Sequence, residues 1–248
     1  MARKFKSKKE NYPLIPKSYI DSILNVELNA EDKARDKNKM NMLLKSLARN
    51  ESTTVSNKTI IKDIDEYESG NNILSSRTTL LDYLDFLERL HLIKNQESYS
   101  SNYRSPERVG KSVKRHFVDP SLACSLLNLN VDKLIGDLNT FGFLFEALVE
   151  RDLRIYMDYL DGKIYHFRDN ISGLEVDTIL EFEDGEYAAV EIKLGYNEVD
   201  DAIKNLKEFY NKMVKKPKFM CVIVGVLEAA YKDPDTSIYV VPITALKP

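Results

Sequence analysis

The chain has no tryptophan and only two cysteines, and it spends few of its 248 residues on glycine (nine) or proline (eight). Two thiols, Cys124 and Cys221, cannot build a disulfide framework and suit a reducing compartment. So few glycines and prolines exclude collagen-like and linker-rich chains. No apolar run approaches the roughly 18 residues of a membrane span. The longest, Phe219 to Leu227, has the length of a strand. The N-terminus is basic but leads into no apolar signal core, so the expectation is a cytoplasmic protein. An excess of one charge is also missing. The 36 Lys and Arg face 39 Asp and Glu, for a net charge of −3. That excludes nucleic-acid binding by bulk charge alone and leaves room for a local basic patch. What is present suffices for a folded core, since 43% of residues are hydrophobic. At about 100–200 residues per domain, the length holds one large domain or two small ones. No repeat of solenoid period is visible.

The charge is unevenly spread. Residues 1–40 carry a net +4, residues 41–116 a net +2 and residues 117–248 a net −9. Residues 1–39 read as a basic arm (Arg3, Lys4, Lys6, Lys8, Lys9) and a helical lead-in, with a short helix around Tyr19 to Val26. Residues 40–118 read as three helices and a strand pair. Met42, Leu43, Leu44 and Leu47 mark one amphipathic helix, and Thr59 to Ile64 a second. A turn over Glu68–Asn72 precedes a third helix, capped by Ser75 or Ser76, with Leu80, Leu81, Leu84, Leu87 and Leu90 at helical spacing. Leu92-Ile93 opens a strand, and His116-Phe117-Val118 resembles its return partner. Three helices followed by a two-stranded wing form the pattern of a winged helix-turn-helix.

Such a domain would reach DNA through its third helix or its wing. On the helix, Arg77 is a candidate contact, but Asp82, Asp85 and Glu88 would repel phosphates. The loop before the return strand is better suited: Arg104, Arg108, Lys111, Lys114 and Arg115 stand against Glu107, with Tyr99 and Tyr103 available for stacking. Contacts of this kind go to the backbone, so binding would be salt-sensitive and sequence-tolerant. The alternative is a winged helix used for domain packing or protein contact.

Residues 119–248 change style. Asp119-Pro120 is a helix start, with Asp as cap and Pro at the first helical position, where its missing N–H costs nothing. A longer helix spans about Asn139 to Leu160. Strand-like runs follow at Lys163–Arg168, Leu174–Phe182 and Tyr187–Lys193, with Gly185 marking a hairpin turn. A helix from about Val199 to Val214 carries Ala202, Ile203, Leu206, Phe209, Tyr210 and Met213 on its apolar face. The continuous apolar run Phe219–Leu227 is expected to be a central strand, and Ile238–Ile243 the last one. The order predicts an α/β domain, α+β over the whole chain, with helices packed on a sheet.

The sharpest chemical signal lies in two neighbouring strands, Glu175-Val176-Asp177 and Glu191-Ile192-Lys193. Strict alternation puts Glu175 and Asp177 on one face, Glu191 and Lys193 on one face, and Val176 and Ile192 towards the core. Paired in a hairpin, three carboxylates and one ammonium converge, and like charges held close need a cation or a proton to compensate. Hard divalent ions such as Mg²⁺ prefer oxygen ligands of this kind. The bland alternative is the solvated face of an edge hairpin, with cross-strand ion pairs worth about 0–1 kcal/mol each.

Asp177 followed by Glu191-x-Lys193, with a helix before the strands, resembles the PD-(D/E)XK nuclease-like superfamily. Glu146, in Phe143-Leu144-Phe145-Glu146-Ala147-Leu148-Val149, is similar to the helical acid that many members place before the sheet. The chain as a whole resembles the domain of unknown function that follows an AAA+ ATPase module in many prokaryotic proteins. The resemblance rests on Arg77–Leu92, Lys114–Leu122, Gly142–Glu150, Phe167–Leu180 and Ala189–Lys193. It implies a restriction-endonuclease-like mixed sheet flanked by helices over 119–248. It also implies metal ligation by Asp177 and Glu191, a water- or phosphate-facing Lys193, an auxiliary Glu146, Mg²⁺ or Mn²⁺ as cofactor, and DNA and an AAA+ ATPase as partners. The Pro-Asp of the superfamily name is Val176-Asp177 here, and these 248 residues hold the two small modules without the ATPase that the resemblance leads one to expect. The resemblance is equally compatible with a non-catalytic interaction module that docks to an ATPase.

Other signals are weak. Gly110-Lys111-Ser112 lacks the upstream glycine and leading strand of a phosphate-binding loop. His91, His116 and His166 lack metal-ligand spacing, and the two cysteines sit in apolar contexts as core thiols. No Gly-x-Ser-x-Gly elbow marks a serine hydrolase.

Overall fold

A computed structural model describes residues 14–30, 35–67, 77–100 and 113–247. These residues form eight α-helices and one eight-stranded mixed sheet. They group into two compact units: one of residues up to 51, 55–94 and 117–138, the other of residues 52–54, 95–116 and 139–248.

The first unit is helical. It contains α1 (Leu14–Ala30), α2 (Lys37–Arg49), α3 (Asn57–Tyr67), α4 (Arg77–Arg89), α5 (Pro120–Leu126) and α6 (Val131–Gly136). Asp36 caps α2 by accepting from the backbone N–H groups of Asn38 and Lys39, which no helical carbonyl can reach. Arg35 beside it pairs with Asp82 and lies over the Phe86 ring at 4.2 Å. Met40, Leu43, Leu44 and Leu47 of α2 are buried, as are Leu80, Leu84 and Leu87 of α4. Leu81, at helical spacing from them, points to solvent instead. The helix after Asp119-Pro120 starts as expected, with the Asp119 side chain accepting from Ser121 N. The turn at 68–72, the Ser75 or Ser76 cap and the Gly110-Lys111-Ser112 segment lie outside the described residues.

The second unit is built on the sheet. Its strands are β1 (Ile93–Ser98), β2 (Lys114–Phe117), β3 (Lys163–Arg168), β4 (Glu175–Glu181), β5 (Tyr187–Lys193), β6 (Phe219–Val224), β7 (Tyr231–Lys232) and β8 (Tyr239–Pro242), in the order β2-β1-β3-β4-β5-β6-β8-β7. The strand pair expected to be a wing is present, because β1 and β2 are neighbours. It does not stand apart. β1 pairs in parallel with β3, Glu97 opposite Tyr165 and Ser98 opposite His166. An open strand edge is a row of unpaired N–H and C=O groups, and β3 satisfies the one that β1 presents. Residues 95–116 therefore group with the second unit, whereas the sequence reading ended the first domain at 118.

Two helices cover the sheet. Phe145, Val149, Leu153 and Met157 of α7 (Leu138–Tyr159), at i+4 spacing, pack on Ile164, Leu180, Ala188, Val190, Ile192, Cys221 and Ile223. On the other face, Val199, Ala202, Leu206 and Phe209 of α8 (Val199–Lys212) pack on Tyr165, Val176, Ile179, Tyr187, Ala189 and Val222. Alternation along β5 sends its odd residues to α8 and its even ones to α7. The apolar run from Phe219 is a strand only as far as Val224. It stops where Gly225 meets the end of β5, with Gly225 N bonded to Lys193 O at 3.0 Å.

Candidate functional site

Asp177 is placed by an irregularity in β4. Tyr165 of β3 stands opposite Ile179, but Phe167, two residues on, stands opposite Val176, three residues back. Two β4 residues thus oppose one β3 residue, which is a β-bulge. The bulge resets the alternation, so Val176 and Ile179 both face α8. Val176 and Ile192 are both in the core, as expected, but on opposite faces of the sheet, since Ile192 lies under α7. On its other side β4 pairs with β5 only as far as Thr178 opposite Val190. Beyond that, the Asp177 side chain takes the place of a ladder carbonyl, and its Oδ2 accepts from Ile192 N at 2.8 Å.

Glu191 and Lys193 follow on the α8-facing side of β5. The Lys193 ammonium bridges the two carboxylates, 2.7 Å from Glu191 Oε2 and 3.3 Å from Asp177 Oδ2. The other Glu191 oxygen accepts from the Asn205 amide of α8 at 2.7 Å. The same amide reaches the carbonyl of Glu175, so Asn205 links the two strands. Glu175 does not join the group. It sits at the exposed strand end, where its carboxylate pairs with Arg168 at 3.1 Å.

Glu146 comes from the first half of α7 and is buried. Its partner is Lys114 of β2, whose Nζ lies 2.6 Å from Glu146 Oε1. Lys114 is itself only 6% exposed, so it is a member of this buried group and not a residue of an exposed basic wing. One helical turn on, Glu150 pairs with Arg154. The stripe Glu146, Glu150, Arg154 runs beside the apolar stripe of α7.

The electrostatics follow from this crowding. Burial pushes the Glu146 carboxyl up to about 7 against the pull of Lys114, with Asp177 adding to the rise. Glu191 is pushed up to about 8, by burial first and by Asp177 second. Burial acts the same way on Asp177, but Lys193, Lys114 and the Ile192 N–H outweigh it and hold this carboxyl below its ordinary value. Asp177 and Glu191 therefore titrate as a pair that keeps one proton near neutrality. Both lysines are desolvated, yet the surrounding carboxylates raise them and keep them charged.

Among the described residues, no three His, Cys, Asp or Glu side chains form a ready-made metal cage. A Mg²⁺-type ion does not need one, since it is held by one or two carboxylates and keeps several waters. Asp177 and Glu191 are two hard oxygen donors on adjacent strands, and the group sets three carboxylates, Glu146 included, against the two ammoniums of Lys114 and Lys193. The donor set fits such an ion.

Residues 2–133 match the model of a domain of unknown function, DUF8612. That is more than half of the chain. The chain belongs to the DUF8612 family. Residues 141–246 match a second domain of unknown function, DUF4143. No curated protein matches. A solved structure that matches is a refined half-complex from a tetradecameric assembly of Thermococcus gammatolerans McrB AAA+ hexamers with bound McrC. It has 11% identity and a TM-score of 0.32 over 98% of this chain. The chain spans 64% of the length of that one.

Glu146, Asp177, Glu191 and Lys193 all lie in the DUF4143 match, whereas Lys114 lies in the DUF8612 match. Lys114 and Asn205 are the members that the sequence reading did not place here. Lys114 stood out there only as one of several basic residues, and nothing local marks Asn205. Of the residues expected to touch nucleic acid, Arg77 is exposed at the start of α4 and Arg115 is half-buried. Arg104, Arg108 and Lys111 lie outside the described residues, as does Tyr103. Tyr99 is not available for stacking on bases. It is 3% exposed, with its ring centroid 5.1 Å from that of Tyr187.

Proposed function

We propose that the second unit is a metal-dependent phosphodiesterase of the nuclease-like type, acting on DNA as part of an AAA+ ATPase-associated protein. The observation that carries this reading is the Lys193 ammonium set between Asp177 and Glu191 on adjacent strands, with Glu146 and Lys114 closing the group. Asp177 and Glu191 would hold Mg²⁺ or Mn²⁺. When bound, the ion supplies charge neutralisation for the phosphate and assists water ionisation. Asp177 is held in place by the Ile192 N–H. Lys193 stays charged and is set to orient a phosphate oxygen or the attacking water. The proton that water loses as the new P–O bond forms passes to solvent. The leaving oxygen takes its proton from solvent as the ester bond breaks. Exposed Arg77 and the basic 104–111 segment would contact the DNA backbone. The ATPase association is supported by the DUF4143 match, together with the likeness of the sequence to a domain that follows AAA+ modules.

The test is incubation with plasmid, linear DNA and RNA in Mg²⁺ or Mn²⁺, beside Asp177→Ala and Glu191→Ala. Cleavage that both substitutions abolish is expected. No cleavage with any substrate, or equal cleavage by the variants, overturns the reading.

One observation favours a second reading, an interaction module that docks to an ATPase without chemistry. Lys193 already pairs with both carboxylates, as in a purely structural ion-pair cluster. Thermal melts with added Mn²⁺ separate the two. A metal site gives stabilisation by mass action that Asp177→Ala removes, and the interaction module gives none.

A further inference from the structure

The bulge that presents Asp177 is held from behind by residues of the DUF8612 match. Gln96 of β1 is fully buried. Its amide Nε2 donates to the carbonyl of Tyr165 at 3.0 Å and to the carbonyl of Asp177 at 3.2 Å, with Thr178 Oγ1 at 3.4 Å. These carbonyls flank the register shift between β3 and β4, where a regular ladder bond is missing. An –NH₂ group has two protons, and here they replace that bond.

The orientation of the amide is fixed in turn. With Nε2 facing two carbonyls, Gln96 Oε1 faces His116 Nε2 at 3.0 Å. His116 must therefore carry its proton on Nε2. Burial, helped by Lys114 and Arg154, keeps the ring neutral. Its Nδ1 lies 3.3 Å from Ser52 Oγ, whose single proton is shared between that nitrogen and the Phe143 carbonyl of α7 at 2.9 Å. Ser52, Gln96 and His116 come from distant parts of the DUF8612 match, and all three belong to the second compact unit.

We infer that Gln96, oriented by His116, is a positioning residue for Asp177: it locks the β4 bulge so that the Asp177 carboxylate is presented to Ile192 N and Lys193. The DUF8612 segment thus completes a site whose carboxylates all lie in the DUF4143 match. This inference rests on the reading of Asp177 as the central site residue, but its test does not require cleavage.

The test is amide hydrogen exchange by NMR in the metal-free protein. The Ile192 N–H is protected by the Asp177 carboxylate, and Val222 in the middle of β6 reports overall stability. In Gln96→Leu, Ile192 exchange is expected to accelerate on the order of tenfold more than Val222 exchange, as loss of a buried hydrogen bond opens the site locally. His116→Leu is expected to reproduce the effect. His116→Gln, which restores a donor at the Nε2 position, is expected to return Ile192 to within about twofold of the wild type. Equal acceleration of Ile192 and Val222, or no change at Ile192, overturns the inference. The His116 pair decides the matter if Gln96→Leu does not fold. Failure of the cleavage assay with this exchange pattern intact removes the nuclease reading and leaves the positioning role standing.

Discussion

Replacing Lys114 with Met separates a buried charge from its partner and leaves the rest of the side chain in place. In the wild type, Glu146 is pushed up to about 7 from its ordinary 4.5. A folded-state pKa above the unfolded value means that stability falls as pH rises from 4.5 and levels off above 7, where the carboxylate is ionised in both states. The slope between those values is about −1.4 kcal/mol per pH unit. Lys114 is the strongest influence holding Glu146 down. Without it the carboxyl stays protonated in the folded state beyond pH 7, and the slope continues. Between pH 7 and pH 8.5, Lys114→Met is therefore expected to lose about 2 kcal/mol more than the wild type. Lys114 also acts on the Asp177–Glu191 pair, so the informative quantity is the part of the difference that depends on Glu146. Urea unfolding followed by far-UV circular dichroism at half-unit pH steps provides it. The same substitution in a Glu146→Gln background is the control, and its difference curve should be the shallower of the two, carrying only the effect of Lys114 on Asp177 and Glu191. A flat difference with Glu146 present, or one that opens equally in the Glu146→Gln background, refutes the pairing and the burial cost assigned to it.

Two other outcomes follow from packing. A Cβ on Gly225 would meet the Leu194 carbonyl at 2.8 Å and the Phe145 ring at 3.3 Å. Gly225→Ala is therefore expected to cost about 1–3 kcal/mol in thermal unfolding, and a variant as stable as the wild type contradicts the close approach of β6 to the end of β5. Burial pushes the Cys221 thiol up to about 12. Iodoacetamide at pH 7.5 should therefore label it about a thousandfold more slowly than a free thiol until urea is added, and labelling of the native protein at the free-thiol rate contradicts its place under α7.

Much of the second unit was legible because its signals are local. β3 and β5 span the residues that alternation and the Gly185 turn predict. The apolar face of α8 is the predicted one except for Tyr210, which is exposed, and Asp119-Pro120 starts its helix. The carboxylate pair and Lys193 were legible as well, since two short motifs on hairpin strands become neighbours as soon as the hairpin forms. The pairing of β1 with β3 was not legible because nothing local to β1 says which strand will cover its open edge. Glu175 was misread because alternation counted through β4 without the bulge. Lys114 counted as one more basic loop residue, since its partner lies 32 positions away.

The sequence by itself determined the elements and the chemistry available on them, because side-chain periodicity and turn residues act within a few positions. Tertiary structure decided the phase of β4 at Asp177, the attachment of β1 and β2 to the sheet, and the arrival of Lys114 and Gln96 behind the carboxylates. The physical reason is common to all three. Buried backbone groups and buried charges must find partners, and the partners that satisfy them here come from strands that only the folded sheet makes adjacent.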